Sequence, residues 1–313
     1  MAISLSVIIC THNPRQYSLE RVMSALQAQT LPRERWELLL VDNHSEKNLS
    51  EAWDMTWQPN ARHVREDQLG LTPARLRGIR EAKGELLLFI DDDNILGPEF
   101  LERAVGIAAR CPHLGAFGAG RLEPEFETPP PPELVPKLSM LALRTVSTEL
   151  WSNNPKDSAC YPWGAGLCVT RQTADYYPEL VRRLNAQEVL DRRGKLLFSG
   201  GDDLFSWAAA ACGKGFGIFP ELSITHLIFA QRLNQPYFVR LIQGHRFSQD
   251  ILAYLLTGLR HRRISLAQWI RILLHGLKNG KFSMQCQWAM AQGQNGAVNF
   301  IAANGLQPLS QRK

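Results

Sequence analysis

The first half of the chain alternates strand-like and helix-like segments, and this alternation constrains the fold more than any other feature of the sequence. Apolar, strand-like runs occupy residues 4–10, 37–41 and 86–90, and segments with helical spacing of apolar residues separate them. Such alternation is typical of α/β domains with a largely parallel sheet. We therefore predict an α/β fold with a mostly parallel central sheet flanked by helices.

The side chains that come directly after these three apolar runs are suited to ligand binding. In an open α/β sheet, ligands bind outside the carboxyl ends of the strands. No GxGxxG or GxxxxGK[ST] signature is present, which argues against a nicotinamide dehydrogenase and against a P-loop enzyme. We predict a nucleotide site of another kind at this edge of the sheet. The polar clusters are Thr11-His12-Asn13, Asp42-Asn43-His44-Ser45 and Asp91-Asp92-Asp93-Asn94.

Three consecutive carboxylates at the end of a buried strand are energetically costly, because like charges repel and burial removes their solvation. A divalent cation relieves this cost, and Mg²⁺ or Mn²⁺ commonly bridges protein carboxylates to substrate phosphates. If the strand continues, alternation places Asp91 and Asp93 on one side and Asp92 on the other. The alternative is a solvated acidic turn that precedes the helix after Pro98.

The ordered set of motifs resembles the family 2 glycosyltransferases with the GT-A fold. The resemblance covers about residues 4–230 and leaves the C-terminal helices unmatched. It implies a GT-A domain over residues 1–232, with a nucleotide-binding half (1–125) and an acceptor-binding half (126–232), followed by a helical extension (233–313). The motifs are VIICTHN, LLLVDNHS, GLTPARLRGI, LLLFIDDDN, GGDD and FPELSITHLI.

The resemblance also implies an activity. It predicts metal-dependent, inverting transfer of a sugar from a nucleoside-diphosphate sugar to a hydroxyl acceptor, in bacterial polysaccharide or glycolipid biosynthesis. Two alternatives stay open. One is a sugar nucleotidyltransferase, although the glycine-rich loop usual for that class after the first strand is missing here. The other is a non-catalytic nucleotide-sugar-binding subunit of a synthesis complex.

Residues of the first two clusters are implied to bind the nucleotide. Thr11 and Asn13 would line the base and the ribose, and Asp42 would accept hydrogen bonds from one of them. The alternative role of Asp42 is that of an Asx-turn residue.

Arg75 matches the arginine of the family's ARNxG segment. It falls in the first turn of a helix that we predict to begin with Thr72 as N-cap and Pro73 at the first helical position. There it would contact the nucleotide or the diphosphate, helped by the helix N-terminus. Leu76 replaces the family's asparagine, so contacts made by that amide are not expected.

The acidic cluster would form the family's DxD motif. Asp93 is the implied direct ligand of Mn²⁺ or Mg²⁺, Asp91 lies between the metal and the ribose, and Asp92 joins the donor-binding residues. His226 matches a histidine that the family often carries late in the domain, where it completes the metal site or contacts the diphosphate. Its alternative role is structural.

Inverting transfer also needs a carboxylate that takes the proton of the acceptor hydroxyl. The run Gly200-Gly201-Asp202-Asp203 resembles the family's G-E-D segment, with glycine where glutamate is usual. Spacing to Gly213 favours Asp202 as the base, whereas matching the acidic pair directly favours Asp203. A carboxylate that only N-caps the following helix is the alternative for one of the two.

The C-terminal region suggests where the protein acts. A basic flank beside a helix with Trp and Leu suits an anionic membrane surface, where lipid-linked saccharide acceptors reside. The alternative is a helix packed on the catalytic domain. The net charge of +5 comes with no nucleic-acid-binding motif, so no nucleic-acid partner is expected. No CxxC pair occurs, which favours reduced thiols and a cytoplasmic location. Together with the basic C-terminal helix, this predicts a peripheral position at the inner face of the membrane.

Overall fold

The computed structural model describes residues 3–184 and 200–311. The chain divides into two compact units, neither of them continuous in sequence. The predicted boundaries at residues 125 and 232 remain predictions, although the second unit also takes in the chain from Phe229 onward. The first unit comprises Met1–Glu127, Lys137–Leu180 and Asp202–Ile228, and the second comprises Thr128–Pro136, Val181–Gly201 and Phe229–Lys313.

One mixed sheet organises the described part of the first unit. Its strands follow the spatial order β3-β2-β1-β4-β9-β6-β10-β5, while β7 pairs with β6 and β8 with β10. The strands are β1 (Leu5–Thr11), β2 (Trp36–Asn43), β3 (Ala61–Glu66), β4 (Leu86–Ile90), β5 (Asn94–Leu96), β6 (Leu114–Phe126), β7 (Arg144–Thr145), β8 (Leu150–Ser152), β9 (Leu167–Thr170) and β10 (Gly215–Ile228).

The helices interleave with these strands along the chain, as the alternating pattern predicts. The four strands from β3 to β4 are parallel, and β10 is parallel to β6, whereas β9 and β5 run antiparallel to their neighbours. The predicted α/β architecture, a mostly parallel sheet flanked by helices, is therefore confirmed. The helices up to β10 are α1 (Gln16–Gln27), α2 (Leu49–Ala52), α3 (Leu71–Glu81), α4 (Phe100–Arg110), α5 (Arg171–Leu184) and α6 (Asp203–Ala211).

The apolar runs form central strands because both of their faces are covered. Every residue of β2 and of β4 is buried, which is the pattern of a parallel strand with helices on both sides. Strand register then aligns the polar ends, since Thr11 pairs with Asp42 and Asp42 pairs with Arg65. The predicted edge of polar strand ends is thus present.

Helix α3 begins at Leu71, two residues earlier than predicted, and Thr72 is not its N-cap. The N-cap is Gly70, whose φ of 141° is one that glycine adopts readily and other residues rarely do. Its N–H donates to Asn43 Oδ1 at 2.8 Å, which fixes the start of α3 against the end of β2. The prediction failed because a turn made by Asn43 and Gly70 set the helix start, and no local signal shows that contact.

Between residues 229 and 311, where the structure describes the chain, the second unit contains three helices, which confirms the predicted C-terminal helical region. They are α7 (Gln235–Thr257), α8 (Leu266–Asn279) and α9 (Lys281–Ala303). Asn234 caps α7 by accepting the Tyr237 N–H, and Ser265 forms a capping box with Gln268 at α8. Across the described ranges, every helix is too short or too polar to cross a bilayer.

Glu37 offers a test of how the paired strands β1 and β2 are held together. It is buried; its Oε1 accepts the Ser6 hydroxyl at 2.7 Å, and its Oε2 lies 3.1 Å from Arg62 Nη2. Glu37→Gln leaves Arg62 facing a neutral amide, so we expect the free energy of unfolding to fall by about 1–3 kcal/mol. Urea denaturation measures this change. Glu34→Gln, at an exposed site, should leave the stability unaltered, and equal stabilities for both variants would contradict the prediction.

Candidate active site

The three aspartates after β4 lie on a turn that bends away from the strand direction. Strand β4 ends at Ile90, and the Asp91 N–H donates to Asn94 Oδ1 at 3.1 Å while the Asn94 N–H donates to the Asp91 carbonyl at 3.2 Å. The strand therefore does not continue, and the alternation predicted for Asp91 and Asp93 under that condition does not apply. The turn, rather than a strand pleat, sets where each carboxylate lies.

Asp92 is held by the neighbouring strand. Its Oδ2 accepts the hydroxyl of Thr11 at the end of β1. Burial, together with the charges of Asp93 and Asp91, raises the pKa of Asp92 to about 7, against the opposing effect of the Thr11 hydrogen bond. The middle carboxylate thus bears part of the electrostatic cost expected for three adjacent carboxylates.

Asp93 and His226 are 133 positions apart in the chain, but the sheet brings them together. Strand β5 pairs antiparallel with β10 so that His226 lies opposite Asn94, and the Leu227 N–H donates to the Asp93 carbonyl at 2.9 Å. The His226 Nε2 lies 3.4 Å from Asp93 Oδ2. The structure thus brings together two of the residues that the sequence analysis assigned to a metal.

A carboxylate and an imidazole are donors that suit Mn²⁺. In residues 3–184 and 200–311, however, no three His, Cys, Asp or Glu side chains are arranged to hold a metal ion. A cation beside Asp93 and His226 would therefore need further ligands from substrate phosphates and water, which is common for Mg²⁺ sites. The donor set fits a cation shared with a substrate better than a closed structural site.

Asp42 has partners within the protein on both of its oxygens. Oδ1 accepts the Ser45 N–H at 2.9 Å, and Oδ2 lies 2.6 Å from Arg65 Nη1. Burial tends to raise the pKa of this carboxyl, but the hydrogen bonds from Ser45 and Arg65 outweigh it and hold the pKa below its usual range. Asp42 is therefore an ionised residue that organises its loop, as in the Asx-turn alternative, and its role toward a nucleotide remains a prediction.

Asn13 also joins two loops. Its N–H donates to Ser45 Oγ at 2.9 Å, and its Oδ1 accepts the Glu46 N–H at 2.9 Å. The φ of Asn13 is 49°, a left-handed conformation that asparagine tolerates better than most residues. The loops after β1 and β2 are thus fastened to each other before any ligand is present.

Arg75 connects the acidic turn with the second carboxylate cluster. Its guanidinium is buried and interacts electrostatically with Asp202 and Asp91, among other groups. Burial lowers the pKa of Arg75, but Asp202, Tyr177, Asp91 and Cys10 together outweigh it, so the side chain stays charged. Of the predicted site residues, Arg75 is the one that interacts electrostatically with both acidic clusters.

Gly164 allows this arrangement because it has no side chain. Its N–H donates to Asp202 Oδ2 at 2.9 Å. A Cβ at position 164 would lie 2.6 Å from Arg75 Nη2, closer than a Cβ approaches another heavy atom in proteins. A side chain at 164 would therefore force the Arg75 guanidinium to shift away from its present position beside Asp202.

The two adjacent aspartates have different environments. Asp202 precedes α6 but makes no side-chain capping bond to it, so N-capping does not explain its presence. Asp203 is the first residue of α6, and burial raises its pKa well above its usual range, with a further contribution from the charge of Asp202. Arg144 opposes this shift without abolishing it.

The sequence analysis did not single out Arg144, which lies close enough to both aspartates to interact with them electrostatically. Its guanidinium stacks 3.6 Å from the centre of the Trp163 ring, and Nη1 donates to the Tyr161 carbonyl at 2.9 Å. Among the residues that the structure describes, its Nε and Nη2 have no hydrogen-bond partner. Burial lowers the pKa of Arg144 to about 10. It lies on the two-residue strand β7, and no motif in the sequence marks it.

The comparisons with known proteins agree with this geometry. The family model described as glycosyl transferase family 2 matches residues 6–157. Residues 6–157, just under half of the chain, are thus similar to glycosyl transferase family 2. The match contains the clusters after β1, β2 and β4 together with Arg75 and Arg144, and it ends before Asp202, Asp203 and His226.

One curated relative extends the comparison. Glycosyltransferase AglE of Haloferax volcanii is 30% identical over 104 residues, which cover 32% of this chain and 34% of the relative. The chain thus spans about a third of the length of that relative.

Two solved structures share the fold at low sequence identity. Mannosyltransferase PcManGT from Pyrobaculum calidifontis has a TM-score of 0.55 at 18% identity, with 99% of this chain and 78% of that chain covered. TarS 1-349 of S. aureus has a TM-score of 0.50 at 14% identity, with 97% and 92% covered. These likenesses confirm the predicted GT-A fold of this chain.

The raised pKa of Asp203 predicts a pH-dependent stability. Its folded pKa exceeds the unfolded value of about 3.9, so the folded state retains a proton that the unfolded chain has released. Stability therefore falls as the pH rises between these two values. We expect Asp203→Asn to gain stability relative to the wild type as the pH is raised from about 4 to about 7, by about 1.4 kcal/mol per pKa unit of the shift.

Urea denaturation at several pH values measures this difference. Asp67→Asn is the matched control, since the side chain of Asp67 is 82% exposed, and it should track the wild type. A difference between wild type and Asp203→Asn that is constant with pH would contradict the assignment.

Proposed function

We propose that the protein transfers a sugar from a nucleoside-diphosphate sugar to a hydroxyl acceptor, with inversion at the anomeric carbon and with Mn²⁺ or Mg²⁺ as cofactor. One observation carries the proposal: buried Arg75 interacts with both Asp91 and Asp202, in a chain whose residues 6–157 match the model of glycosyl transferase family 2. A donor diphosphate at the acidic turn would then lie near a carboxylate able to take a proton.

The transfer step assigns different tasks to the charged groups. The acceptor hydroxyl oxygen forms the new bond to C1 of the sugar, and the bond between C1 and the diphosphate oxygen breaks. The hydroxyl proton goes to a carboxylate, and the electron pair of the broken bond goes to the departing diphosphate. Arg75 stabilises the negative charge that develops on the diphosphate.

Asp202 suits the role of base better than Asp203. The Gly164 N–H donates to Asp202 Oδ2 and Arg75 interacts with the same carboxylate, so both hold Asp202 in place, and general-base catalysis needs an ionised carboxylate. Burial favours the protonated form of Asp203, which cannot act in this way. We therefore assign proton removal to Asp202 and place Asp203 and Arg144 beside it as groups that set its electrostatic environment.

Asp93 and His226 would hold the cation, with Asp91 nearby and Asp92 fixed by Thr11. When bound, the cation would neutralise charge on the donor diphosphate. PcManGT, a mannosyltransferase of the same fold, forms a complex with GDP-Man and Mn²⁺, and we extend this pairing of nucleotide sugar and metal to the present chain by analogy.

The proposed function also includes the class of acceptor. We propose a saccharide or lipid-linked saccharide acceptor, used in polysaccharide or glycolipid synthesis on the cytoplasmic side of the membrane. Thr11, Asn13 and Asp42 would border the base and ribose of the donor, from loops that are already held in place by their mutual hydrogen bonds.

Donor binding should depend on the cation and on Asp93. We expect one of the UDP-, GDP-, dTDP- or CMP-sugars to raise the melting temperature in the presence of Mn²⁺, because a ligand at a hundred times its Kd adds about 2.7 kcal/mol to stability. Asp93→Asn should lose the Mn²⁺-dependent part of this shift, whereas Asp67→Asn should keep it. A full shift in Asp93→Asn would refute the metal role of Asp93.

Asp202→Asn should retain donor affinity but lose about 10²–10⁴-fold in turnover, because the proton acceptor is gone. Asp203→Asn should lose less. Mn²⁺-dependent hydrolysis of the donor, with water as acceptor, measures both variants. Wild-type rates in both would place the base elsewhere. Absence of hydrolysis in the wild type would favour a non-catalytic subunit, and pyrophosphate release from a nucleoside triphosphate would favour a nucleotidyltransferase.

A further inference from the structure

Helix α8 of the second unit carries a row of large apolar side chains that are exposed to solvent. They recur at intervals of three and four residues, so they lie on one face of the helix. We call this row the α8 apolar face. It consists of Leu266 (76% exposed), Ile270 (48%), Leu273 (48%), Leu274 (57%) and Leu277 (85%).

Other positions on α8 hold the helix in place and leave the α8 apolar face outward. The Trp269 ring packs 4.3 Å, centre to centre, from that of Trp288 on α9. Gly276 lies so close to α9 that a Cβ there would be 2.6 Å from the Met284 sulfur. The helix is therefore positioned by its remaining surface, and its exposed leucines are not needed for its packing on α9.

Positive charge accompanies this face. Residues 251–313 contain eight Lys and Arg and no Asp or Glu, whereas residues 1–250 contain 27 basic and 30 acidic residues, so the whole net charge of +5 arises in the C-terminal segment. Arg271 and Lys278 are exposed on α8 itself, seven residues apart and therefore on one side of the helix. Their positions place them along one edge of the α8 apolar face.

We propose that the α8 apolar face lies in the interfacial region of an anionic lipid membrane, with Arg271 and Lys278 directed to the lipid phosphates. An amphipathic helix with leucines on one face and cations beside them binds such an interface by apolar burial and electrostatic attraction together. With 14 residues, α8 is about 21 Å long, which suits a helix lying on the membrane and not one crossing it.

Charge also decides between a membrane and a second copy of this chain. A symmetric pairing through the α8 apolar face would bring two segments without acidic residues against each other, and their like charges would repel. An anionic lipid surface meets the same cations with opposite charge. The proposal is independent of the glycosyl transfer proposed above, since it requires neither donor nor turnover, and its test can fail or succeed by itself.

Co-sedimentation of the full chain with lipid vesicles tests the proposal. We expect binding to phosphatidylcholine vesicles containing about 40 mol % phosphatidylglycerol, weaker binding at high salt, and little binding to phosphatidylcholine alone. Leu273→Gln with Leu277→Gln should reduce binding at least about a hundredfold, because each buried leucine contributes about tenfold or more. Arg271→Gln with Lys278→Gln should reduce it about fivefold per charge and weaken the salt dependence.

Two controls keep the result interpretable. Leu150→Gln removes an exposed leucine from the first unit and should bind vesicles like the wild type. The leucine double variant should keep the wild-type helical circular dichroism and melting temperature, because its altered side chains are exposed.

Three outcomes would overturn the proposal. The first is wild-type vesicle binding by the leucine double variant, and the second is equal binding to neutral and anionic vesicles. The third combines two results for the wild type: it does not bind vesicles, and it forms a concentration-dependent dimer in sedimentation velocity. The leucine double variant would not form this dimer. That last result would assign the face to a second copy of the chain.

Discussion

The charged groups of the first unit cannot be understood one at a time, because Arg75 relates two carboxylate clusters that would otherwise repel each other. It is buried and yet remains charged, since Asp202 and Asp91 offset the cost of removing its guanidinium from water. The acidic turn and the aspartate pair before α6 are therefore coupled electrostatically. The close backbone approach at Gly164 is part of the same arrangement, because a side chain there would displace Arg75.

The sheet supplies the frame on which this cluster is built. Parallel pairing of β1, β2 and β3 aligns Thr11, Asp42 and Arg65 in one row, so the loops that follow are already close to each other. Hydrogen bonds from Asn13 and Ser45 then tie those loops together. A site made this way is largely formed before a ligand arrives, which reduces the conformational entropy lost on binding.

The surroundings of the two aspartates show why the chemistry depends on neighbours and not on residue type. Asp202 faces a backbone N–H and a guanidinium, whereas Asp203 is buried, and burial favours its neutral form. Two adjacent carboxyls thus have different surroundings. In the second unit, charge is uneven along the sequence. The last 63 residues carry the entire positive excess of the chain, and they include α8, whose leucines face solvent.

The sequence by itself determined the α/β class, the central strands and the residue types at their ends, because apolar runs such as Leu86–Ile90 and the polar residues after them are local signals. It also marked Asp93, Arg75, Asp202 and His226 through a resemblance in order and spacing. Only the tertiary structure decided that the chain turns at Asp91, that Gly70 and Asn43 set the start of α3, and that Asp93 lies beside His226. It alone revealed Arg144 beside the aspartate pair. These features rest on contacts between residues far apart in the chain, and the free energy of such contacts depends on burial and geometry that a linear pattern does not contain.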